Sequence, residues 1–574
     1  MEVWKIILVF TTWIPTIQAA SRDEWKSRSI YQIVTDRFAL SNGSTNAPCD
    51  PAKGLYCGGT FRGIIEKLDY IQDLGFSAIW ISPVTYPIQE VTSDLSAYHG
   101  YWQQDLYAIN PRFGTRDDLE DLSHELHSRG MYLMVDVVAN NLAWAGNGNT
   151  VDYSKLKPFD NGGYYHPFRL LSDDPLNQTC VKQCWLGDTV VSLPDLRTED
   201  STVSSMLYTW VNQLVSNYSI DGLRLDSIFN VNEDFWSGFN RAAGVFCLGE
   251  GITDNATSLC PLQNSMDGVL NYPMYYRLTA AFNSTTGSMH NLVQGMRAMK
   301  NKCRDIFVLG TFTENQDVPR FASYTGDLSL ARNIITYNLL GDGIPVLYYG
   351  QEQHFSGSSN PLDREALWTT GYKNDTTPLP SLIQSLNRLR AHAAVNGTRF
   401  TNRSEALRDY LTYITLPIHE SPHVLVLRKG FKGNQVITVL SNLGSHPDGN
   451  AETTVLLSAD GTDFTPGQNL TEVLSCRTFL TDKQSGNLIV SLADDGGPRV
   501  FYPTESLEMS GLCGHKLDGK PPKSTSTKPV TATPTARGAA AAAVILVGTG
   551  ARFLTISLGL GSVLAVLFVS EVLF

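Results

Sequence analysis

The residues best placed to do chemistry are carboxylates that end apolar runs. Val135-Asp136 closes one run, Leu223-Arg224-Leu225-Asp226 a second, Leu248-Gly249-Glu250 a third, and Phe312-Thr313-Glu314-Asn315-Gln316-Asp317 a fourth. Buried carboxylates without partners are costly. Acids at the ends of four separate runs therefore suggest a shared site rather than four packing accidents. Arg224 and Asp226 alternate with Leu225, so on a strand both side chains leave the same face. A guanidinium there holds Asp226 as a carboxylate, the state a nucleophile needs. Glu250 follows an apolar run, where desolvation raises its pKa toward what a general acid needs. A carboxylate and a carboxylic acid about 5 Å apart are the pair used in retaining glycosidic cleavage.

Those side chains need a frame. Short apolar, strand-like runs recur at Ile30 to Phe38, Phe76 to Pro83, Met131 to Asn140, Gly222 to Ser227, Phe246 to Glu250, Ile306 to Glu314 and Ile344 to Gly350. Amphipathic stretches such as Asp117 to Arg129, stopped by Gly130, and Ser204 to Asn217 separate them. Repeated β–α units of this length build either a (β/α)8 TIM barrel or a large doubly wound sheet. Acids at strand C-termini are where a barrel carries its site. The expected layout is an α/β barrel over 21–140 and 197–401. A loop-rich, Cys-containing inserted subdomain follows the third strand over 141–196. Over 402–515 alternating strands such as VLVLRKG and QVITVLSN read as an antiparallel β-sandwich.

The net charge of −12, with no basic run or basic–aromatic stripe, excludes a nucleic-acid binder. Lys5, the apolar Ile6 to Phe10 and small residues to Ala20 read as a cleaved signal peptide over 1–20, with an uncleaved anchor as the alternative. Nine Asn-x-Ser/Thr sequons, from Asn42 to Asn469, fit a secretory route. So do nine cysteines, whose odd number leaves one free thiol. Cys247, inside an apolar run, is the expected free one. That leaves Cys49, Cys57, Cys180, Cys184, Cys260, Cys303, Cys476 and Cys513 for disulfides. A Ser/Thr/Pro-rich stalk (516–540) precedes a hydrophobic tail (541–574). Small residues, spacer and tail form a GPI-attachment pattern, with a single membrane-spanning anchor as the alternative. Either tethers the chain to the plasma membrane or cell wall.

Several longer stretches carry a family resemblance. AYHGYWQQDLY (97–107), GMYLMVDVVAN (130–140), VSLPDL (191–196), SIDGLRLDS (219–227), MDGVLNYPMYY (266–276), LGTFTENQDVPRFASYT (309–325) and GIPVLYYGQEQH (343–354) resemble the α-amylase family of glycoside hydrolases, close to the fungal secreted members. The resemblance implies Asp226 as nucleophile, Glu250 as acid/base and Asp317 as transition-state stabiliser, with Arg224 supporting the nucleophile. It implies Tyr101 stacked on the reacting glucose, and His99, Trp102 and Arg364 nearby. It also implies a structural Ca2+ at Asn140 and Asp195, with backbone carbonyls near Lys182 and at Asn230. Relatives place the first cysteine of the subdomain earlier, where Arg169 stands, so the partner of Cys180 stays open, with Cys184, only four residues on, as the candidate.

The departures concentrate around the acids. Asn141 and Gln316 stand where hydrolytic members carry His, Phe229-Asn230 where they carry Lys-His, and Asn360 where an Asp is expected. Asn141 and Gln316 can hydrogen-bond sugar hydroxyls but cannot become cationic. Phe229 offers an apolar platform on which a sugar, unlike water, can stack. With the three acids intact and the tail GPI-like, the chain resembles the fungal GPI-anchored 4-α-glucanotransferases. That implies transfer between α-1,4-glucans, a malto-oligosaccharide or glucan partner and a monomeric enzyme. The alternatives are an anchored α-amylase and an inactive glucan-binding wall protein.

Overall fold

The computed structural model describes residues 20–93, 95–173, 176–397, 410–447 and 453–516. The stalk beyond Lys516, the hydrophobic tail and all but the last residue of the expected signal peptide lie outside them.

Eight parallel strands form the central sheet: β1 (Ile30–Ile33), β2 (Ala78–Ile81), β3 (Tyr132–Val137), β4 (Gly222–Leu225), β5 (Phe246–Gly249), β6 (Gly268–Val269), β7 (Gly310–Thr311) and β8 (Ile344–Tyr348). Their spatial order is β6-β5-β4-β3-β2-β1-β8-β7. A parallel bridge between Leu270 and Gly310 joins the two ends and closes the barrel. Closure leaves no edge to protect, so the strands tolerate apolar side chains on both faces. One set, including Ile30, Trp80, Met134, Leu248 and Val346, fills the interior with Trp25. The other packs outward against helices such as α1 (Arg116–Ser128), α2 (Ser201–Tyr218) and α3 (Glu233–Ala243). Thr115 and Asp118 form a capping box on α1, and Asp200 caps α2.

Several strands are shorter than their apolar runs. β1 stops at Ile33 because Thr35–Phe38 turns helical, with a buried Asp36–Arg37 ion pair. The run expected from Ile306 yields only Gly310–Thr311, behind a 3-10 turn at Ile306–Val308. β6 has no counterpart among the expected strands, since two residues are too few to show a period. Gly268 is required there: a Cβ at that position would lie 2.2 Å from the Val308 carbonyl oxygen.

Residues 141–196 carry a small sheet of Trp144–Ala145, Leu186–Gly187 and Val191–Leu193 after β3. Beyond the barrel a six-stranded antiparallel sheet packs with the pair Thr454–Leu457 and Leu488–Ser491 around Val426, Val439, Leu470 and Phe501. Four disulfides, Cys49–Cys57, Cys180–Cys184, Cys260–Cys303 and Cys476–Cys513, leave Cys247 buried and free, as expected. No helix among the described residues is long and apolar enough to cross a membrane.

Candidate active site

The acids meet at the C-terminal end of the barrel around one cation. Arg224, on β4 and fully buried, places Nη1 2.6 Å from Asp226 Oδ1 and 2.9 and 3.1 Å from the two oxygens of Asp136. Its Nη2 contacts Glu250 Oε1. The strand alternation that set Arg224 and Asp226 on one face therefore delivers both to the site, and the neighbouring strands add Asp136 and Glu250.

Three carboxyls around one guanidinium cannot all be neutralised by it, and burial makes the shortfall expensive. Burial pushes Glu250 up to about 8; Arg224 opposes the shift, while Asp226 and Asp317 reinforce it. Burial likewise raises Asp136 to about 7 against the pull of Arg224. Glu250 is oriented by the Ser227 N–H, which donates to Oε2 (3.2 Å), and by the Tyr272 hydroxyl, which donates to Oε1 (3.3 Å). A carboxyl raised in this way has the character a general acid requires.

Asp317 is the most open of the acids. Arg364 fixes its segment by donating from Nε and Nη2 to the Gln316 carbonyl (3.1 and 2.8 Å), and Nη2 lies 3.4 Å from Asp317 Oδ1. Glu314, in the same acidic stretch, does not face the site. It takes Arg320 Nη1 (2.9 Å) and the Phe321 N–H (2.8 Å) as a buried structural pair.

The aromatic residues assemble beside the acids. Tyr101 donates its hydroxyl to Asp136 Oδ2 (2.6 Å) and stacks on His99. His99 Nδ1 accepts the Tyr101 N–H (3.0 Å). Burial, with Arg364 and Arg37 nearby, keeps the His99 ring well below its usual pKa. A neutral ring whose Nδ1 accepts carries its proton on Nε2, so His99 is a donor there. Trp102 stands edge-on to His99 and packs on the subdomain residues Ala143 and Val191.

The substituted positions behave differently from one another. Asn141 is buried with its amide turned onto the local chain: Nδ2 donates to the Leu142 carbonyl (3.1 Å), and Oδ1 accepts from Asn140 Nδ2 (3.2 Å). One Nδ2 proton and one Oδ1 lone pair are left over from these contacts. Gln316 bonds to Gln32 and Tyr101. Phe229 lies against Gly251, the residue after Glu250, where an added Cβ would be 2.8 Å from the ring. Asn230 Nδ2 donates to the Val181 carbonyl (3.1 Å), tying the loop after β4 to the helix that carries Lys182. Asn360 is exposed.

The expected cation residues lie at the seam of barrel and insertion. Asn140 and Asp195 are buried, and the Leu196 N–H donates to the Asn140 carbonyl (2.8 Å). Asp195 Oδ2 faces His166 Nδ1 (2.7 Å), yet burial still raises Asp195 to about 7. A buried carboxylate this short of positive charge, beside amide and carbonyl oxygens, is a donor set suited to a hard cation. Only the backbone of Lys182 fits that role, since its side chain is itself cationic.

Gln32, Asp136, Tyr272 and Asn315 were absent from the expected binding set. The sequence places Asp136 among the four convergent acids but assigns it no binding role. Gln32 had one available signal: a polar residue inside the apolar run of β1.

A closed (β/α)8 barrel with convergent carboxyls, two buried arginines and flanking aromatics at its C-terminal end is an arrangement suited to a carbohydrate-acting enzyme. Residues 32–395 match the alpha amylase catalytic domain and 417–520 match alpha-amylase domain C. The chain belongs to the α-amylase family. It is 47% identical over 489 residues to alpha-amylase 2 of Schwanniomyces occidentalis, covering 85% of this chain and 92% of that one. Alpha-amylase mde5 of Schizosaccharomyces pombe is 37% identical over 517 residues, covering 90% and 94%. The alpha-amylase structure from Malbranchea cinnamomea superposes with a TM-score of 0.79 at 47% identity, covering 86% of this chain and all of that one.

Proposed function

We propose that this chain is a retaining 4-α-glucanotransferase: it cleaves α-1,4-glucosidic bonds and hands the glycosyl unit to another glucan. Asp226 attacks the anomeric carbon while Glu250 gives its proton to the departing glycosidic oxygen. Asp226 and Glu250 share one guanidinium, which supports the close spacing of a retaining pair, about 5 Å, rather than the roughly 6.5–9.5 Å of an inverting one. Glu250, now ionised, removes the proton of the incoming hydroxyl, and that oxygen displaces Asp226. Asp317, Arg364 and His99 hold the distorted sugar.

The observation that carries transfer is Phe229 seated on Gly251, beside the acid. An incoming sugar gains by laying its apolar face on that ring; water gains nothing. Hydrolysis is the competing reading, favoured by the α-amylase names of the relatives. The test is purified enzyme with malto-oligosaccharide of one length, following product lengths and reducing ends together. Transfer gives products longer than the donor with reducing ends nearly constant. Shorter products only, with reducing ends rising in step, mean an amylase.

Asn140 and Asp195, with the backbone at Lys182 and Asn230, would hold a structural Ca2+ that would brace the insertion against the barrel. The four disulfides support passage through an oxidising route. Release of the enzyme from cells by a GPI-specific phospholipase tests the proposed anchor at the cell surface.

A further inference from the structure

We propose that Gln32, on β1 and contacting neither of the reacting carboxyls, is a positioning residue that locks the Gln316 amide and, through it, Tyr101. The inference rests on the reading of Asp226 and Glu250 as the reacting pair.

The polarity of the hydrogen-bond chain is set from the buried arginine outward. Asp136 receives Arg224 Nη1 on both oxygens (2.9 and 3.1 Å) and the Trp80 indole N–H on Oδ2 (3.2 Å). Neither donor can accept, so in its carboxylate form Asp136 accepts from both, and the Tyr101 hydroxyl donates to it as well (2.6 Å). A phenol has one proton, so the Tyr101 oxygen must then accept from Gln316, whose Nε2 lies 2.9 Å away. That turns Gln316 Oε1 toward Gln32, and Gln32 Nε2 donates to it.

An amide is nearly symmetric in shape, and a flipped Gln316 would set a carbonyl oxygen against the Tyr101 oxygen. Gln32 opposes the flip by supplying a donor on the far side. Arg364 fixes the backbone of the same residue through its carbonyl. The remaining Nε2 proton of Gln316 is left as a pre-aimed, neutral donor beside Tyr101. Preorganised donors of this kind stabilise a transition state without reorganising.

Gln32 is 3% exposed, and its own Oε1 has no hydrogen-bond partner among the described residues. An unpaired acceptor in the barrel interior does nothing for stability. An apolar side chain would fill the place better if filling were its purpose. The polar group is explained by the donor it presents.

The test is a double-mutant cycle on the full chain: Q32M, Q316A and Q32M/Q316A. Methionine keeps the length of glutamine and loses only the polar group. Q32M is expected to lower kcat about tenfold, less than the about 100-fold of losing a direct donor. KM and Tm are expected to stay near wild type. In the Q316A background the same change should move kcat less than about twofold, because its only route is already gone. Q32E, which offers an acceptor where a donor is needed, should be worse than Q32M. Wild-type kcat in Q32M, or an equal loss in both backgrounds, overturns the proposal. D226N run alongside separates the two failures: if D226N stays active the reading of the site is wrong, and if it is dead while Q32M is normal only the role of Gln32 falls.

Discussion

Two regions of the molecule handle buried charge in opposite ways. At the catalytic end of the barrel, Asp136, Asp226 and Glu250 share one guanidinium. At the seam between the barrel helix Leu328–Leu340 and the C-terminal sheet, Asp495 has two: Arg332 Nη1 at 2.7 Å and Arg499 Nη2 at 2.9 Å, with the Gly497 N–H at 3.0 Å. Partial burial raises Asp495, but the Arg332 hydrogen bond and the others outweigh it and hold the group down to about 2. Glu250 sits near 8 because its donors are too few for its burial. Asp495, oversupplied with donors, stays ionised and cements the seam; Glu250, undersupplied, keeps a proton that can be moved.

That contrast breaks first under substitution. Glu250→Gln should cut kcat about 1,000-fold, within the range for losing a general acid, with the fold intact by circular dichroism. An active E250Q would sink the assignment. The same group sets the alkaline limit: activity should fall as pH rises through about 8, when Glu250 loses the proton it must donate. Asp495 fails at the other extreme. Its pKa is lowered in the fold, so its contribution to stability is complete above about pH 4, the unfolded value, and fades as pH falls toward 2. A pH–rate profile and a pH–Tm series on one preparation test both limbs.

Smaller effects sharpen the picture. Chelation should lower Tm in the wild type and not in Asp195→Asn, if the seam of barrel and insertion holds a cation; equal Tm shifts in both would place the metal elsewhere. Phe229→Ala should shift the partition toward hydrolysis by a few-fold, read as reducing ends released per bond cleaved, and an unchanged ratio would deny the ring its acceptor role. Asp495→Asn, partly solvent-screened, should cost about 1 kcal/mol and leave kcat unaltered. A drop in kcat there would mean the seam is coupled to the site.

Much of the site was legible because strand geometry is local. Alternation put Arg224 and Asp226 on one face, and an apolar run ending in Glu250 announced a desolvated acid. Glu314 could not be told from Asp317 by the same reasoning. Both follow one strand, and only the packing of Arg320 beside Glu314 removes it from the site. β6 was illegible because two residues carry no period, although its glycine is demanded by a backbone contact from the neighbouring chain segment. The direction of the Asn141 amide also depended on neighbours, since Asn140 and Leu142 capture it.

By itself the sequence determined seven of the eight strand positions, though not their ends, together with the acids and the one unpaired cysteine, each a property of nearby residues. Only the tertiary structure decided that three acids divide one arginine, and that Gln32 reaches Gln316. Those pairings join residues up to 284 positions apart. In the closed barrel Arg224 meets its acids because β3, β4 and β5 are neighbours, and Gln32 comes within reach of Gln316 because β1 pairs with β8, whose other neighbour is β7. Whether a carboxyl keeps its proton depends on how many donors that closure leaves within reach.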